Sequence, residues 1–320
     1  MVKNNIRAAI DIGTNTFRLL IAEVYPAGSY SGFSFRTIHT DRIITRLGEG
    51  VSINGLMSDA AMKRGIDALK KFTEVIARHH AFRTSAAATS VLRNAENRDE
   101  FLRLVRESTG LEIEVISGRR EAEITAQGML LDIPFTESAL MIDIGGGSTE
   151  LICMTDGHMS ITESLDLGVV YLANKYMHND PPDRESLQHM EDEVTGKIDH
   201  AAGLFKPLIT CDTAFTGTAG TVTALAAMAQ GLKVFKHDKI HKYKLHMDTV
   251  RNIFTLISGL SSGERAQYIP FELARLDIIV PGTLILLKLM ESYGSNELIV
   301  SNYGLLEGIL IDLCKKERKE

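Results

Sequence analysis

Apolar runs of strand length alternate with stretches whose apolar positions recur at helical spacing. Positions 6–12 form a nearly continuous apolar run and read as a buried strand. The polar turn Gly13-Thr14-Asn15-Thr16 follows, then a second strand over 17–24, a hairpin turn over 28–32 and a third strand over 33–39. Ser58 and Asp59 can cap a helix, because Met62, Ile66, Leu69 and Ile76 recur along one helical face. A strand over 82–88, a helix over 99–108 stopped by Gly110, a strand over 111–116 and a helix over 119–131 complete the first half. A short break is expected at 132–135.

The opening pattern then returns. Ala8-Ala9-Ile10-Asp11-Ile12-Gly13-Thr14 is echoed by Leu140-Met141-Ile142-Asp143-Ile144-Gly145-Gly146-Gly147-Ser148. Each copy has a buried strand, an Asp near its end, a glycine turn with a hydroxyl residue, and a second strand. The interval is domain-sized, far longer than a solenoid period. Further helices are expected over 184–205, 248–260 and 278–293, a strand over 213–215 leading into the small-residue turn Gly217-Thr218-Ala219-Gly220-Thr221, a strand over 297–301 and a closing helix over 305–315. Alternating strands and helices predict an α/β fold. The repeat predicts two similar domains facing each other across a cleft, joined by a short hinge near 128–137.

Composition narrows the function. The 320 residues suffice for two domains, and 44% hydrophobic with 24% charged residues is ordinary for a globular protein. A net charge of −6 argues against a nucleic-acid partner, which needs a basic footprint, but leaves room for a locally positive anion site. Cys153, Cys211 and Cys314 form neither a disulfide framework nor a metal ribbon, which fits a reducing, cytoplasmic setting. No signal peptide is expected. The longest apolar run, 278–290, is too short to cross a membrane and holds Pro281, Gly282 and Lys288, so a buried helix is expected there and no membrane partner.

The candidate chemistry lies in the turns. A glycine turn after a buried strand can point backbone N–H groups at phosphate oxygens, since no Cβ blocks close approach. Gly13 to Thr16 and Gly145 to Thr149 both offer this, without a Walker loop. Asp11, Asp143 and Glu150 supply carboxylates beside them. They would repel a phosphate unless a cation such as Mg²⁺ intervened; Asp143 could instead cap its own turn. Gly217 to Thr221 suits close approach to a base, ribose or phosphate, or simply tight strand–helix packing. Glu121 alone reads as an exposed helical acid beside Arg119 and Arg120.

The ordered motifs resemble the exopolyphosphatase/guanosine pentaphosphate phosphatase (Ppx/GppA) family, in its short two-domain form. They run from Ala9 through Leu20, Leu47-Gly48-Glu49-Gly50, Ala88 through Asn97 and Ile116 through Ala122 to Ile142 through Glu150, Gly217 through Thr221, Ala274 through Ile279 and Val300 through Leu305. The resemblance implies two ribonuclease-H-like domains of the actin, hexokinase and heat-shock ATPase superfamily. The first would span 1–126 with the closing helix 305–320 packed back on it, and the second 127–304. It implies Glu121 as the catalytic base, Asp143 and Glu150, with Asp11 beside them, as metal ligands, and Mg²⁺ or another divalent cation as cofactor. Phosphate contacts would come from Thr14, Asn15, Arg93, Gly145, Gly146, Gly147 and Ser148, with Gly217, Thr218 and Gly220 at the third turn. The implied substrates are inorganic polyphosphate, slightly favoured, or guanosine pentaphosphate (pppGpp), which would tie the chain to the stringent response. A homodimer is compatible with this reading, although the sequence does not set the oligomeric state.

Two other readings stay open: an ATP-dependent small-molecule kinase of the same superfamily, and an alarmone- or nucleotide-binding regulator without turnover. The chain departs from its relatives at Asn302, where many have Asp, and at Leu306, where many have Arg, and it stops before the helical region that longer members add. His237, His241 and His246 among Lys233, Lys236, Lys239, Lys242 and Lys244 read as a solvated basic loop that could attract a polyanion's tail.

Overall fold

The computed structural model describes residues 5–27, 32–51, 55–131 and 138–318. The hairpin turn expected at 28–32 lies almost wholly outside these residues, as does the break at 132–135. Two compact units form: Met1–Asp132 with Tyr303–Glu320, and Ile133–Asn302. The first division falls later than the expected 126/127 because the helix at this point continues to Met129 and packs within the first unit.

Unit 1 is built on a mixed sheet in the order β3-β2-β1-β4-β5, with β1 Ile6–Ile12, β2 Thr16–Pro26, β3 Phe33–Ile44, β4 Arg83–Ala88 and β5 Ile113–Val115. The first three strands are antiparallel, whereas β4 and β5 run parallel to β1 and to each other. Strand periodicity divides the side chains between two faces. Ala8, Ile10, Ile12, Phe17 and Leu19 pack with α1 (Asp59–Arg78) and α3 (Arg98–Thr109). Ala9, Leu20 and Ala22 pack on the opposite face with α4 (Gly118–Met129) and the closing helix α12 (Leu305–Glu317). Ser58 caps α1 by accepting the Ala61 N–H at 3.2 Å, and Gly110 ends α3 with φ 71°. A five-residue helix, α2 (Ser90–Asn94), follows β4.

Helices α4 and α12 touch backbone to backbone. A Cβ at Gly128 would overlap the Gly304 carbonyl, and one at Gly308 would overlap the Ile124 carbonyl. Around this crossing Arg120 Nη2 pairs with Asp312 at 2.5 Å and Lys315 Nζ donates to Gln127 at 2.8 Å.

Unit 2 repeats the plan in the order β10-β11-β9-β6-β7-β8, with β6 Ala139–Ile144, β7 Thr149–Thr155, β8 His158–Leu165, β9 Ala214–Thr218, β10 Lys244–His246 and β11 Glu297–Val300. Its helices are α5 (Val169–Tyr176), α6 (Arg184–Phe205), α7 (Ala219–Ala229), α8 (His237–Ile240), α9 (Met247–Ser258), α10 (Ser262–Arg265) and α11 (Ile279–Tyr293). The apolar run around Pro281 is the buried helix α11, with the proline in its first turn, where a missing N–H costs nothing. No helix among the described residues is long and apolar enough to cross a membrane.

The repeated order of three antiparallel strands followed by parallel strands, flanked by helices, is that of the ribonuclease-H-like fold. Two elements differ from expectation. The basic segment contributes a sixth strand, β10, because Leu245 is buried while Lys244 and His246 face outward and pair with Glu297. The stretch expected as a turn at 217–221 has no loop: β9 runs to Thr218 and α7 starts at Ala219, whose φ is 68°.

Gly128→Ala would force a methyl group into the Gly304 carbonyl with main chain on both sides. We expect a loss of about 1–3 kcal/mol of unfolding free energy, measured by urea denaturation.

Candidate functional site

In unit 1 the turn after β1 closes on itself, the Gly13 N–H donating to the Thr16 carbonyl at 3.2 Å. A second loop braces it. The N–H groups of Thr45 and Arg46 donate to the Asn15 carbonyl at 3.1 and 3.0 Å, and the Gly48 N–H donates to the Thr14 carbonyl at 2.9 Å. A Cβ at Gly48 would strike the Thr14 methyl, which explains the glycine in Leu47-Gly48-Glu49-Gly50. Thr14 and Asn15, expected at phosphate, therefore sit in a turn fixed through their carbonyls.

Glu121 lies in the first turn of α4, which Ser117 caps by accepting the Arg120 N–H at 3.2 Å. Read alone from the sequence it looks like an exposed helical acid, yet it is only 6% exposed. Arg93, at the end of α2, donates through Nη1 to Glu121 Oε2 at 2.6 Å and to the Ile116 carbonyl at 3.1 Å. This charge-assisted bond joins two predicted site residues 28 positions apart in sequence and fixes the direction of the carboxylate. The reading of Glu121 as a solvated helical acid is therefore corrected: its helix turns it inward, toward Arg93.

In unit 2 the corresponding turn closes the same way, the Gly145 N–H donating to the Ser148 carbonyl at 2.9 Å. The start of α5 supports it, with the Val169 and Val170 N–H groups donating to the Gly145 and Gly146 carbonyls at 3.2 and 2.8 Å. Gly168 lies flat against Gly146 and Gly147, where any Cβ would overlap the turn. Asp143 on β6 and Glu150 on β7 are direct cross-strand partners, 7% and 1% exposed. The Ser164 hydroxyl donates to Glu150 Oε1 at 2.7 Å. Two buried carboxylates on paired strands are hard oxygen donors of the kind a divalent cation takes, with water and substrate oxygens completing its shell.

The internal repeat preserves the register but changes the charge. Asp11 pairs across strands with Arg18 just as Asp143 pairs with Glu150. Unit 1 therefore sets a guanidinium opposite its Asp where unit 2 sets a second carboxylate. Burial pushes the Asp11 carboxyl up to about 6, against the pull of Arg18.

Sequence reasoning assigned no role to Glu307 or Arg275. Glu307, in the first turn of α12, accepts the Gly304 N–H at 2.9 Å, and burial raises its carboxyl to about 7 against that bond and Arg18, with Asp11 adding to the rise. Arg275, 7% exposed, lies across Gly220, where a Cβ would overlap its guanidinium, and pairs with Glu272 at 3.2 Å. Only a fold that brings 275 onto the start of α7 reveals this. Gly217 and Thr218 end β9, and the Thr218 hydroxyl donates to the Ser301 carbonyl at 3.1 Å.

The Asn302 departure has a visible consequence. Its side-chain amide donates to the His237 carbonyl at 2.9 Å, which an ionised Asp could not do, and its N–H donates to His241 Nδ1 at 3.1 Å. Asn302 thus holds the histidine segment to the end of β11. Leu306 is buried in the core beneath α12.

Comparison with known proteins agrees with this architecture. The model of the Ppx/GppA phosphatase family matches residues 25–317. The chain is 32% identical over 321 residues to exopolyphosphatase 2 of Mycobacterium tuberculosis, covering 96% of this chain and 98% of that one. It is 28% identical over 315 residues to a guanosine-5'-triphosphate,3'-diphosphate pyrophosphatase of Pseudoalteromonas translucida, covering 97% of this chain but 60% of that longer one. Among solved structures, the Aquifex aeolicus Ppx/GppA protein superposes with a TM-score of 0.79 at 28% identity, covering 98% of each chain. An exopolyphosphatase from Cytophaga hutchinsonii gives 0.87 at 25%, covering 97% and 98%. The architecture is that of a two-unit phosphatase, and the chain belongs to the Ppx/GppA phosphatase family.

The raised Glu307 pKa has a sign that can be tested. A carboxyl whose folded pKa exceeds its unfolded value contributes stability that is fully present below the unfolded pKa and is lost as pH rises through the folded one. Asp11, Arg18 and the Gly304 N–H are the groups that act on it. Glu307→Gln removes the titration, so its melting temperature relative to wild type should rise between pH 4.5 and 8. A constant difference across that range would contradict the assignment.

Proposed function

We propose that the chain is a divalent-metal-dependent phosphoanhydride hydrolase that removes the terminal phosphate of inorganic polyphosphate or of guanosine pentaphosphate, with polyphosphate slightly favoured. The observation that carries this reading is the buried Glu121 carboxylate held by Arg93 at 2.6 Å. A carboxylate fixed in direction can orient a water molecule and take its proton. Arg93 can turn part of its fork to an incoming phosphate while keeping Glu121 aligned. The names of the relatives, an exopolyphosphatase and a pyrophosphatase of pppGpp, support the substrate class.

Within the reading, the N–H groups of the turns at Gly13 to Thr16 and Gly145 to Ser148, with Thr14 and Asn15, take phosphate oxygens. Gly217, Thr218 and Gly220 serve the more distant part of the substrate. Asp143 and Glu150 hold Mg²⁺, which when bound supplies charge neutralisation at the transferring phosphoryl group. Asp11, a further expected ligand, lies opposite Arg18 on the paired strand.

Phosphate release from long polyphosphate and from guanosine pentaphosphate, each with Mg²⁺ and with excess chelator, tests the reading. We expect release from at least one substrate, polyphosphate the faster, abolished by chelation and restored by Mg²⁺. ATP consumption that requires a small acceptor would point to a kinase instead. Tight binding of either substrate without release would point to a regulator.

Arg93→Met leaves Glu121 buried without its partner and removes a phosphate donor. We expect kcat/KM to fall about 10²-fold or more, and Arg93→Lys to recover only part of it, because an ammonium cannot bridge the carboxylate and a phosphate as a planar fork does. Steady-state phosphate release measures both.

A further inference from the structure

The loop that braces the Gly13–Thr16 turn is itself held from α1. Arg64, in the second turn of that helix, donates through Nε to the Thr45 carbonyl at 2.7 Å. Its Nη2 donates to Glu49 Oε2 at 2.7 Å and to the Arg46 carbonyl at 3.4 Å. The Thr45 carbonyl and the Arg46 N–H belong to one peptide group. Arg64 therefore grips one end of the peptide whose other end donates to the Asn15 carbonyl at 3.0 Å. A carbonyl that accepts from a cation polarises its peptide and strengthens the bond made by the N–H beyond it. Arg46 also has φ 49°, which costs a non-glycine residue energy and persists only where the surroundings fix it. Arg64 bonds the carbonyls on both sides of the Arg46 Cα, and the Glu49 N–H adds a bond to the second at 3.0 Å. Helix and loop also meet in the core, where a Cβ on Gly65 would stand 3.4 Å from a Leu47 methyl.

We propose that Arg64 is a positioning residue for the substrate's phosphate: with Glu49 as its counter-charge it locks the 45–48 segment, which fixes the Thr14 and Asn15 carbonyls and so the direction of the turn's N–H groups. This deepens the hydrolase reading and rests on it. The bonds run from α1 to the turn without a gap: Arg64 to Thr45, Thr45 and Arg46 to Asn15, and Gly48 to Thr14. Glu49 acquires a task as well, keeping the guanidinium turned to the loop. The Arg64 and Glu49 side chains are 41% and 63% exposed, so neither belongs to the core.

Arg64→Met removes all three bonds. On long polyphosphate with Mg²⁺, the full-length variant should show a KM raised about threefold to tenfold with kcat within about twofold of wild type, the pattern of binding lost equally from ground and transition states. Lys63→Met deletes the same charge one position away, along with an exposed ion pair to Asp67, and should leave KM within about 1.5-fold of wild type. That contrast separates positioning from plain attraction of a polyanion. Glu49→Gln should raise KM about twofold on its own and add nothing to Arg64→Met. Hydrogen exchange of the 45–48 amides, followed by mass spectrometry, should quicken about threefold or more in Arg64→Met and stay unchanged in Lys63→Met. An unchanged KM in Arg64→Met, an equal rise in Lys63→Met, full additivity with Glu49→Gln, or unchanged exchange overturns the proposal. A wild-type protein that releases no phosphate from either substrate sinks the hydrolase reading instead, and the exchange rates then decide whether Arg64 locks the segment.

Discussion

A carboxylate removed from water must be met by a donor or a cation, or it gives up its charge. That constraint organises both units. Glu121 is met by Arg93, Glu150 by the Ser164 hydroxyl, and Asp11 by the nearby charge of Arg18. Asp11 near the end of β1 and Asp143 near the end of β6 each lie beside a self-closed glycine turn.

The two halves follow one plan with one change of charge. The strand, the turn and the cross-strand register are the same, and what changes is the residue opposite the Asp. Unit 2 sets a second carboxylate, Glu150, opposite its Asp, whereas unit 1 sets the guanidinium of Arg18 there. The supporting glycines act in the same spirit. Gly48 lets a loop brace the first turn, Gly168 lets α5 brace the second, and Gly128 and Gly308 let α4 and α12 meet at backbone distance. Each removes a side chain so that main chain can fix main chain, and the site inherits that rigidity.

Much of this was legible in the sequence. The Ser58 cap, the Gly110 stop, the buried run around Pro281 and the repeated strand–turn pattern are local signals, and the elements they predict formed. The motif order identified the family. Long-range geometry was not legible. Read alone, Glu121 looked like an exposed helical acid, because Arg93, which bonds to it, lies 28 positions away in the sequence. Strand β10 hid among lysines and histidines because only Leu245 faces the core. Glu307 and Arg275 carried no local signal; their neighbours, Gly304 with Arg18 and Gly220 with Glu272, are set by the fold.

The central claim is that the Arg93-held carboxylate of Glu121 activates the attacking water. Glu121→Gln keeps the shape and can still accept the Arg93 N–H but cannot take a proton. Its kcat for phosphate release from polyphosphate, measured on protein whose melting temperature matches wild type, should fall by about 10²- to 10⁴-fold. Turnover within about threefold of wild type would contradict the account.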